Sequence, residues 1–178
     1  MAGRNVVLQW NCRGLKSKRN DLDILISEYS PAVICLQETL LPSIVEQCQN
    51  NASPLPSQYR FAEIRGYKSY FRCIDTGKNG IAIYVRNNVF HQQIKPLNTH
   101  LQALAVRITY EDREFIVSNH YTSDTHDGVP TEDDFKAIIN KFDKPFIMCG
   151  DFNGNPFWEQ GRWAGSISFA GEMLRSSL

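Results

Sequence analysis

Short apolar runs that break off at polar residues set the rhythm of this chain. Val6-Val7-Leu8-Gln9-Trp10 is β-prone and stops at Asn11-Cys12-Arg13-Gly14, where Gly14 predicts a turn. Leu15, Leu22, Ile24, Leu25, Ile26 and Tyr29 then share an approximate helical face, which Pro31 ends. Ala32-Val33-Ile34-Cys35-Leu36 is a continuous apolar run bounded by Pro31 and Gln37-Glu38-Thr39, the pattern of a strand covered on both faces. Residues 42–63 are mixed and proline-interrupted, predicting a short helix near Ile44–Cys48 and then a loop. From Tyr67 the pattern is strand-like: Tyr67–Cys73, a turn over Thr76–Gly80, then Ile81–Val85, Val89–Ile94, Leu101–Thr109 and Glu114–Asn119. After a loop at Thr122–Pro130, Thr131 with Glu132-Asp133-Asp134 predicts an N-cap and an acidic first turn. Phe135, Ile138, Ile139 and Phe142 supply that helix's apolar face. Pro145–Cys149 is a last buried strand, ending at Gly150-Asp151-Phe152-Asn153, and Ser166–Leu178 reads as a helix start.

Strands and helices alternate at both ends around a strand-rich middle. That order predicts an α/β sandwich with helices packed over sheets. No repeat, low-complexity tract or domain boundary divides the 178 residues, so a single domain is expected.

Composition changes this picture little. The chain is 42% hydrophobic, enough for a core. Lys plus Arg equals Asp plus Glu, at 19 each, which neither demands nor excludes a nucleic-acid partner, because a local basic face can exist at zero net charge. Five cysteines at irregular spacing, without a C-x-x-C, argue against a zinc site and for a reducing compartment; Cys35 and Cys149 read as small buried hydrophobes. No secretory signal and no membrane-length apolar stretch is present, so the expectation is a soluble, intracellular protein with no membrane partner.

The candidate chemistry sits where the strands stop. Trp10-Asn11, Leu36-Gln37-Glu38, Asn119-His120-Tyr121 and Cys149-Gly150-Asp151-Phe152-Asn153 each put polar residues directly after an apolar run. Ligands gather at strand ends in α/β sheets. If these four ends share one edge, Asn11, Glu38, Tyr121, Asp151 and Asn153 form one cluster. Glu38 offers the hard oxygen that Mg²⁺ favours. Asp151 can orient or deprotonate a water, and Asn11, Asn153 and Tyr121 can hydrogen-bond around a phosphate. Alternation places Asp151 and Asn153 on one side, Phe152 toward the core, and His120 away from Tyr121. Simpler readings stand beside these: Asn11 as a turn cap, Asp151 as a turn former after Gly150, Tyr121 as a core aromatic with a satisfied hydroxyl. Arg13, Lys16, Lys18 and Arg19 form a basic patch that is either a solvated helix start or a set of phosphate contacts on DNA. Trp158 and Trp163 could stack on bases, though core packing is the preferred account of them.

Gln9-Trp10-Asn11-Cys12-Arg13-Gly14-Leu15, Leu36-Gln37-Glu38-Thr39, Gly80–Arg86, Tyr121 and Gly150-Asp151-Phe152-Asn153, in this order, resemble the endonuclease/exonuclease/phosphatase superfamily. The likeness is strongest to the apurinic-type endonuclease domain of non-LTR, jockey-like retrotransposons, which Phe157-Trp158 and Gly171-Glu172-Met173-Leu174 also resemble. The resemblance implies a two-sheet α/β sandwich of the DNase I-like, four-layer kind. It implies a phosphodiester hydrolase using Mg²⁺ or Mn²⁺ as cofactor, with DNA as partner and nuclear work as its setting. Carried over residue by residue, it makes Glu38 the metal ligand, Asn11 and Tyr121 its active-site neighbours, and Asp151 and Asn153 the pair that handles the attacking water and phosphate. The family's closing Asp-His motif has no counterpart in this sequence, since all four histidines precede Asp151. That implies a domain incomplete at its C-terminus, with a sheet edge open to self-association. It also leaves two functional expectations: a DNA-nicking enzyme, or an inactive retroelement remnant that binds nucleic acid or protein.

Overall fold

A computed structural model describes residues 6–73, 78–95, 102–110, 113–122 and 131–152. Within them the chain order is β1 (Val7–Asn11), α1 (Arg19–Tyr29), β2 (Val33–Gln37), α2 (Ser43–Asn50), a 3-10 helix (Ser57–Ala62), β3 (Tyr67–Arg72), β4 (Ile81–Arg86), β5 (Phe90–Ile94), β6 (Gln102–Tyr110), β7 (Arg113–Tyr121), α3 (Glu132–Ile139) and β8 (Phe146–Asp151). The strands form two four-stranded sheets, ordered β1-β2-β4-β3 and β5-β6-β7-β8. Both are mixed: β1–β2 and β7–β8 are parallel, and the other neighbours are antiparallel.

Strand alternation divides the core into three layers. Val33, Cys35, Ile81, Ile83 and Val85 of the first sheet meet Leu104, Val106, Ile108, Val117 and Tyr121 of the second in the central layer. Ile34, Leu36, Ala82 and Tyr84 turn outward to Leu15, Leu22 and Val45, burying α1 and α2 against the first sheet. Ala103 faces Phe135 and Ile138 of α3 on the second sheet. Every residue of β2 is buried because it lies between two neighbours and under two layers. Each fully buried Leu or Ile here contributes about 1.5–3 kcal/mol. The result is the helix–sheet–sheet–helix sandwich that the sequence predicts.

The differences from the sequence reading lie at element ends. The first helix begins at Arg19; Leu15 is fully buried in the turn before it and belongs to the core without being helical. Residues 57–62, read as loop, form a 3-10 helix that buries Ala62. Cys35 is buried as expected, but Cys149 is only half-buried. The strands also run further than their apolar runs, through Asn11, Gln37, Tyr121 and Asp151, because ladder hydrogen bonds are made by the backbone whatever the side chain. Thr131 does cap α3: its hydroxyl accepts from the Asp134 N–H while the Asp134 carboxylate accepts from the Thr131 N–H at 2.8 Å. The expected helix start at 166–178 lies outside the described residues.

Candidate active site

The register puts the polar strand ends on one rim. Asn11 pairs with Gln37, Gln37 with Ile81 and Ile81 with Arg72 in the first sheet. Asp151 pairs with Tyr121 and Tyr121 with Gln102 in the second. The sheets are fastened together along this rim, where the Gly80 N–H donates to Gln102 Oε1 at 3.2 Å.

Four residues of the expected cluster meet there. Asn11 Nδ2 donates to Glu38 Oε1 at 2.7 Å and to Asp151 Oδ2 at 2.6 Å, bridging two carboxylates that are 113 positions apart in the chain. The Tyr121 hydroxyl donates to the same Glu38 oxygen at 3.3 Å. The Asn11 amide is oriented from its other end, since Oδ1 accepts from the Arg13 N–H at 3.2 Å. A flipped amide would set its oxygen against both carboxylates, so the hydrogen bonds determine the orientation. Asn153 lies outside the described residues.

The backbone that presents Glu38 is held in a sparsely populated conformation. Arg13, Glu38 and Leu40 all have positive φ, at 45°, 51° and 54°. For residues with a Cβ this costs of order 1 kcal/mol or more each, and it persists only where the surroundings over-determine it. Here they do. The N–H groups of Gly14 and Leu15 donate to the carbonyls of Glu38 and Thr39, and those of Thr39 and Leu40 donate to Gly80 and Asn79. Gly80 (φ +82°) comes so close that a Cβ on it would lie 2.9 Å from Thr39 Oγ1. The Cys12 thiol donates to the Gln37 carbonyl at 3.3 Å, and burial pushes its pKa up to about 11, so it serves as a neutral strut.

Beneath the cluster runs a buried polar network. Gln9 Nε2 donates to Gln37 Oε1 at 2.7 Å, and Gln37 Nε2 donates to Asn119 Oδ1 at 2.5 Å. Asn119 Nδ2 then donates to the carbonyls of Leu36 and Ala82, both at 2.9 Å, crossing from one sheet to the other. Glu38 directly follows the anchored Gln37, and Tyr121 lies two residues after Asn119, on the same face of β7. Sequence reasoning missed Gln37 and Asn119 as functional supports. The available signal was polarity at inward-facing positions of otherwise apolar strands, which is rarely tolerated without a partner.

His120 points to the opposite face from Tyr121, as alternation predicts. It is fully buried, stacks on Phe152 with ring centroids 5.9 Å apart, and burial lowers its pKa to about 4. Neither ring nitrogen has a partner among the described residues. Phe152 packs on Phe135, also as alternation predicts. The basic patch divides. Arg13, Lys16 and Lys18 are exposed, with Lys18 paired to Asp21 at 3.3 Å. Arg19 instead donates to the carbonyls of Phe61 and Glu63 at 2.7 and 2.8 Å and pairs with Asp23, tying α1 to the 3-10 helix.

Among the described residues no group of three His, Cys, Asp or Glu side chains forms a metal cage. The donor set nevertheless suits a hard divalent cation, which takes one or two carboxylates and completes its shell with water and substrate phosphate. Glu38 and Asp151 converge on one point from two sheets, and a single amide group lies between them.

Two mixed sheets, helices outside, and a carboxylate–amide–tyrosine cluster at the strand ends define a DNase I-like sandwich. The chain belongs to the Endonuclease/Exonuclease/phosphatase family, whose model matches residues 8–175. It is 28% identical over 158 residues to Recombination repair protein 1 of Drosophila melanogaster, covering 83% of this chain and 22% of that protein. It is 25% identical over 160 residues to the probable RNA-directed DNA polymerase from transposon X-element of the same organism, covering 88% of this chain and 16% of that one. The chain thus spans about a fifth of the length of these relatives. Among solved structures, the endonuclease domain of TRAS1, a telomere-specific non-LTR retrotransposon, superposes with a TM-score of 0.64 at 20% identity, covering 96% of this chain and 68% of that one. The AP endonuclease LMAP from Leishmania major gives 0.70 at 16% identity, covering 96% and 65%. These likenesses agree with the fold read from the sequence. The family is generally dependent on divalent metal. No helix among the described residues is long and apolar enough to cross a membrane.

Proposed function

We propose that this chain is a divalent-metal-dependent phosphodiester hydrolase domain that nicks DNA, of the retrotransposon endonuclease type. One observation carries the reading: the Asn11 amide bridges Glu38 and Asp151, with the Tyr121 hydroxyl on Glu38, at one rim of the sandwich. The printed descriptions of the relatives, a transposon polymerase, a retrotransposon endonuclease domain and AP endonucleases, support DNA as the substrate.

Glu38 and Asp151 would hold the ion, Mg²⁺ or Mn²⁺, which when bound neutralises charge developing on the phosphate. Asp151, with Asn153, orients the attacking water and takes its proton. Asn11 and Tyr121 fix the Glu38 carboxylate; to donate to a phosphate oxygen each would have to release a bond it now makes to a carboxylate. Arg13, Lys16 and Lys18, exposed beside the rim, supply phosphate contacts. Arg19, grouped with them by sequence, would have to give up its two carbonyl bonds to join. Work on chromosomal DNA would place the protein in the nucleus.

The test is nicking of supercoiled plasmid in Mg²⁺, beside EDTA, Glu38→Ala and Asp151→Ala. Nicking that all three abolish is the expected result; nicking that survives both substitutions would overturn the assignment. Salt-dependent DNA binding by folded protein without nicking would replace it with the reading of a remnant that acts as a binding module. Self-association is a further part of the proposal. Among the described residues β8 pairs only with β7, and Phe146 and Ile147 are exposed on it. Sedimentation showing a monomer at all concentrations would remove this part.

A further inference from the structure

The rim extends beyond the candidate active site, and its far end is cationic. Antiparallel partners share a face, so the inward positions can be read from the register. Arg72 pairs with Ile81 and Lys95 follows Ile94, the partner of Ala105. Ile81 faces the central core layer, and so does Val106, the partner of Gln93. Arg72 and Gln93 therefore open into the same slot between the sheets that holds Asn11, Tyr121 and Asp151. With Lys95 and Leu104 they line a cavity of about 420 Å³ at the β3 edge, which also reaches around to Phe71 and to Glu46 and Asn50 of α2 on the outer side of the first sheet. Its one carboxylate is already engaged: Glu46 Oε2 accepts the Cys73 N–H at 2.6 Å. Neither Arg72 nor Lys95 has an ion-pair partner among the described residues.

We propose that Arg72 and Lys95 form a second phosphate subsite, which holds the backbone of the same nucleic-acid strand whose scissile phosphate lies at Glu38 and Asp151. This rests on the DNA-cleaving reading above. The spacing supports it. The rim passes from β2 through β4 to β3, two interstrand steps of about 4.8 Å, or roughly 10 Å. Because each strand winds around the helix axis, its neighbouring phosphates lie further apart than the axial rise of about 3.4 Å, so that span is roughly one or two phosphates along the strand. Two unpaired cations at the open mouth of a slot suit a diester oxygen, and the cavity, of ordinary ligand-pocket size, leaves room for the adjoining sugar. The subsite positions the substrate and takes no part in the chemical step.

The test is fluorescence anisotropy of a labelled duplex, in EDTA, with wild type, R72A/K95A and the charge-preserving R72K/K95R, over a range of salt. Each lost phosphate contact lowers the slope of log affinity against log salt by about 0.9, so the alanine pair, which empties one phosphate subsite, should lower it by about 0.9. The charge-preserving pair should retain most of the wild-type slope. A scan of neutral methylphosphonates along each strand locates the contact. One placed one or two positions from the cleaved bond should weaken wild type and leave R72A/K95A unaffected. Plasmid nicking by R72A/K95A at saturating DNA should keep its rate. Equal slopes for wild type and R72A/K95A, with nicking intact, would overturn the subsite and leave the nuclease reading standing. A wild type that neither binds nor nicks would overturn both.

Discussion

Asn119→Ala is the sharpest test of how the two sheets are locked beneath the site. The side chain is fully buried and makes three hydrogen bonds: two donated to the Leu36 and Ala82 carbonyls and one accepted from Gln37. At about 1 kcal/mol net per bond, their loss amounts to about 3 kcal/mol. Gln37, also fully buried, then keeps an amide donor without an acceptor, adding about 1–3 kcal/mol. The expected destabilisation is about 4–6 kcal/mol, a large share of a domain's usual 5–15 kcal/mol. With a urea m-value of about 2 kcal/mol/M, the midpoint should fall by about 2–3 M. The control is Q37L/N119L, which removes both partners together. Gln9, the remaining member, is exposed and can turn to water. Replacing both sides of a buried bond with apolar groups is far milder than orphaning one. The double variant should therefore recover more than half of the loss. A shift for Asn119→Ala below about 0.5 M, or strict additivity of Q37L and N119L, would refute the argument that these bonds fasten the sheets.

Gly150→Ala should be costly despite adding one methyl, because a Cβ there would fall on the His120 carbonyl oxygen in the β7–β8 ladder. Forcing the strands apart is expected to cost about 3 kcal/mol and to carry Asp151 out of reach of Asn11, visible together as a lowered Tm and lost nicking. Burial depresses the His120 pKa to about 4, against 6.5 for the free side chain. The unfolded chain therefore binds the proton first, and the stability due to neutral His120 is present above about pH 6.5 and is lost as the pH falls toward 4. It amounts to at most about 3 kcal/mol. His120→Phe should flatten that acid limb in urea titrations across pH, and an unchanged limb would show that other groups cause it. Cys12, pushed up to about 11 by burial, should resist alkylation at pH 8 in native protein and react on unfolding. Rapid native labelling of Cys12 would contradict its role as a buried strut.

Much of the fold was readable because its signals are local. β2 is apolar at each position from Val33 to Leu36 since it is covered on both faces, and α3 begins at Thr131 because the hydroxyl and the Asp134 carboxylate satisfy each other's backbone N–H groups. Asn11, Glu38, Tyr121 and Asp151 stood out because each interrupts an apolar run at its end, where a strand leaves the core. Their resemblance to a family fixed the order in which to look for them. Local signals do not carry distance, however. That Asn11 would stand between Glu38 and Asp151 depends on β1 pairing with β2 and on β8 lying across from β1 in the other sheet. Arg19 illustrates the same limit. It sits in the same basic stretch as Arg13 and Lys16, yet the 3-10 helix folds back to offer it two carbonyls and turns it inward. The Gln37–Asn119 bond and the alignment of Arg72 with the active-site slot were likewise decided by register, which gains its meaning only when the described strands are stacked into two sheets. Side-chain chemistry and periodicity are properties of the sequence; which groups meet is set by long-range pairing, and here that pairing joins residues more than a hundred positions apart.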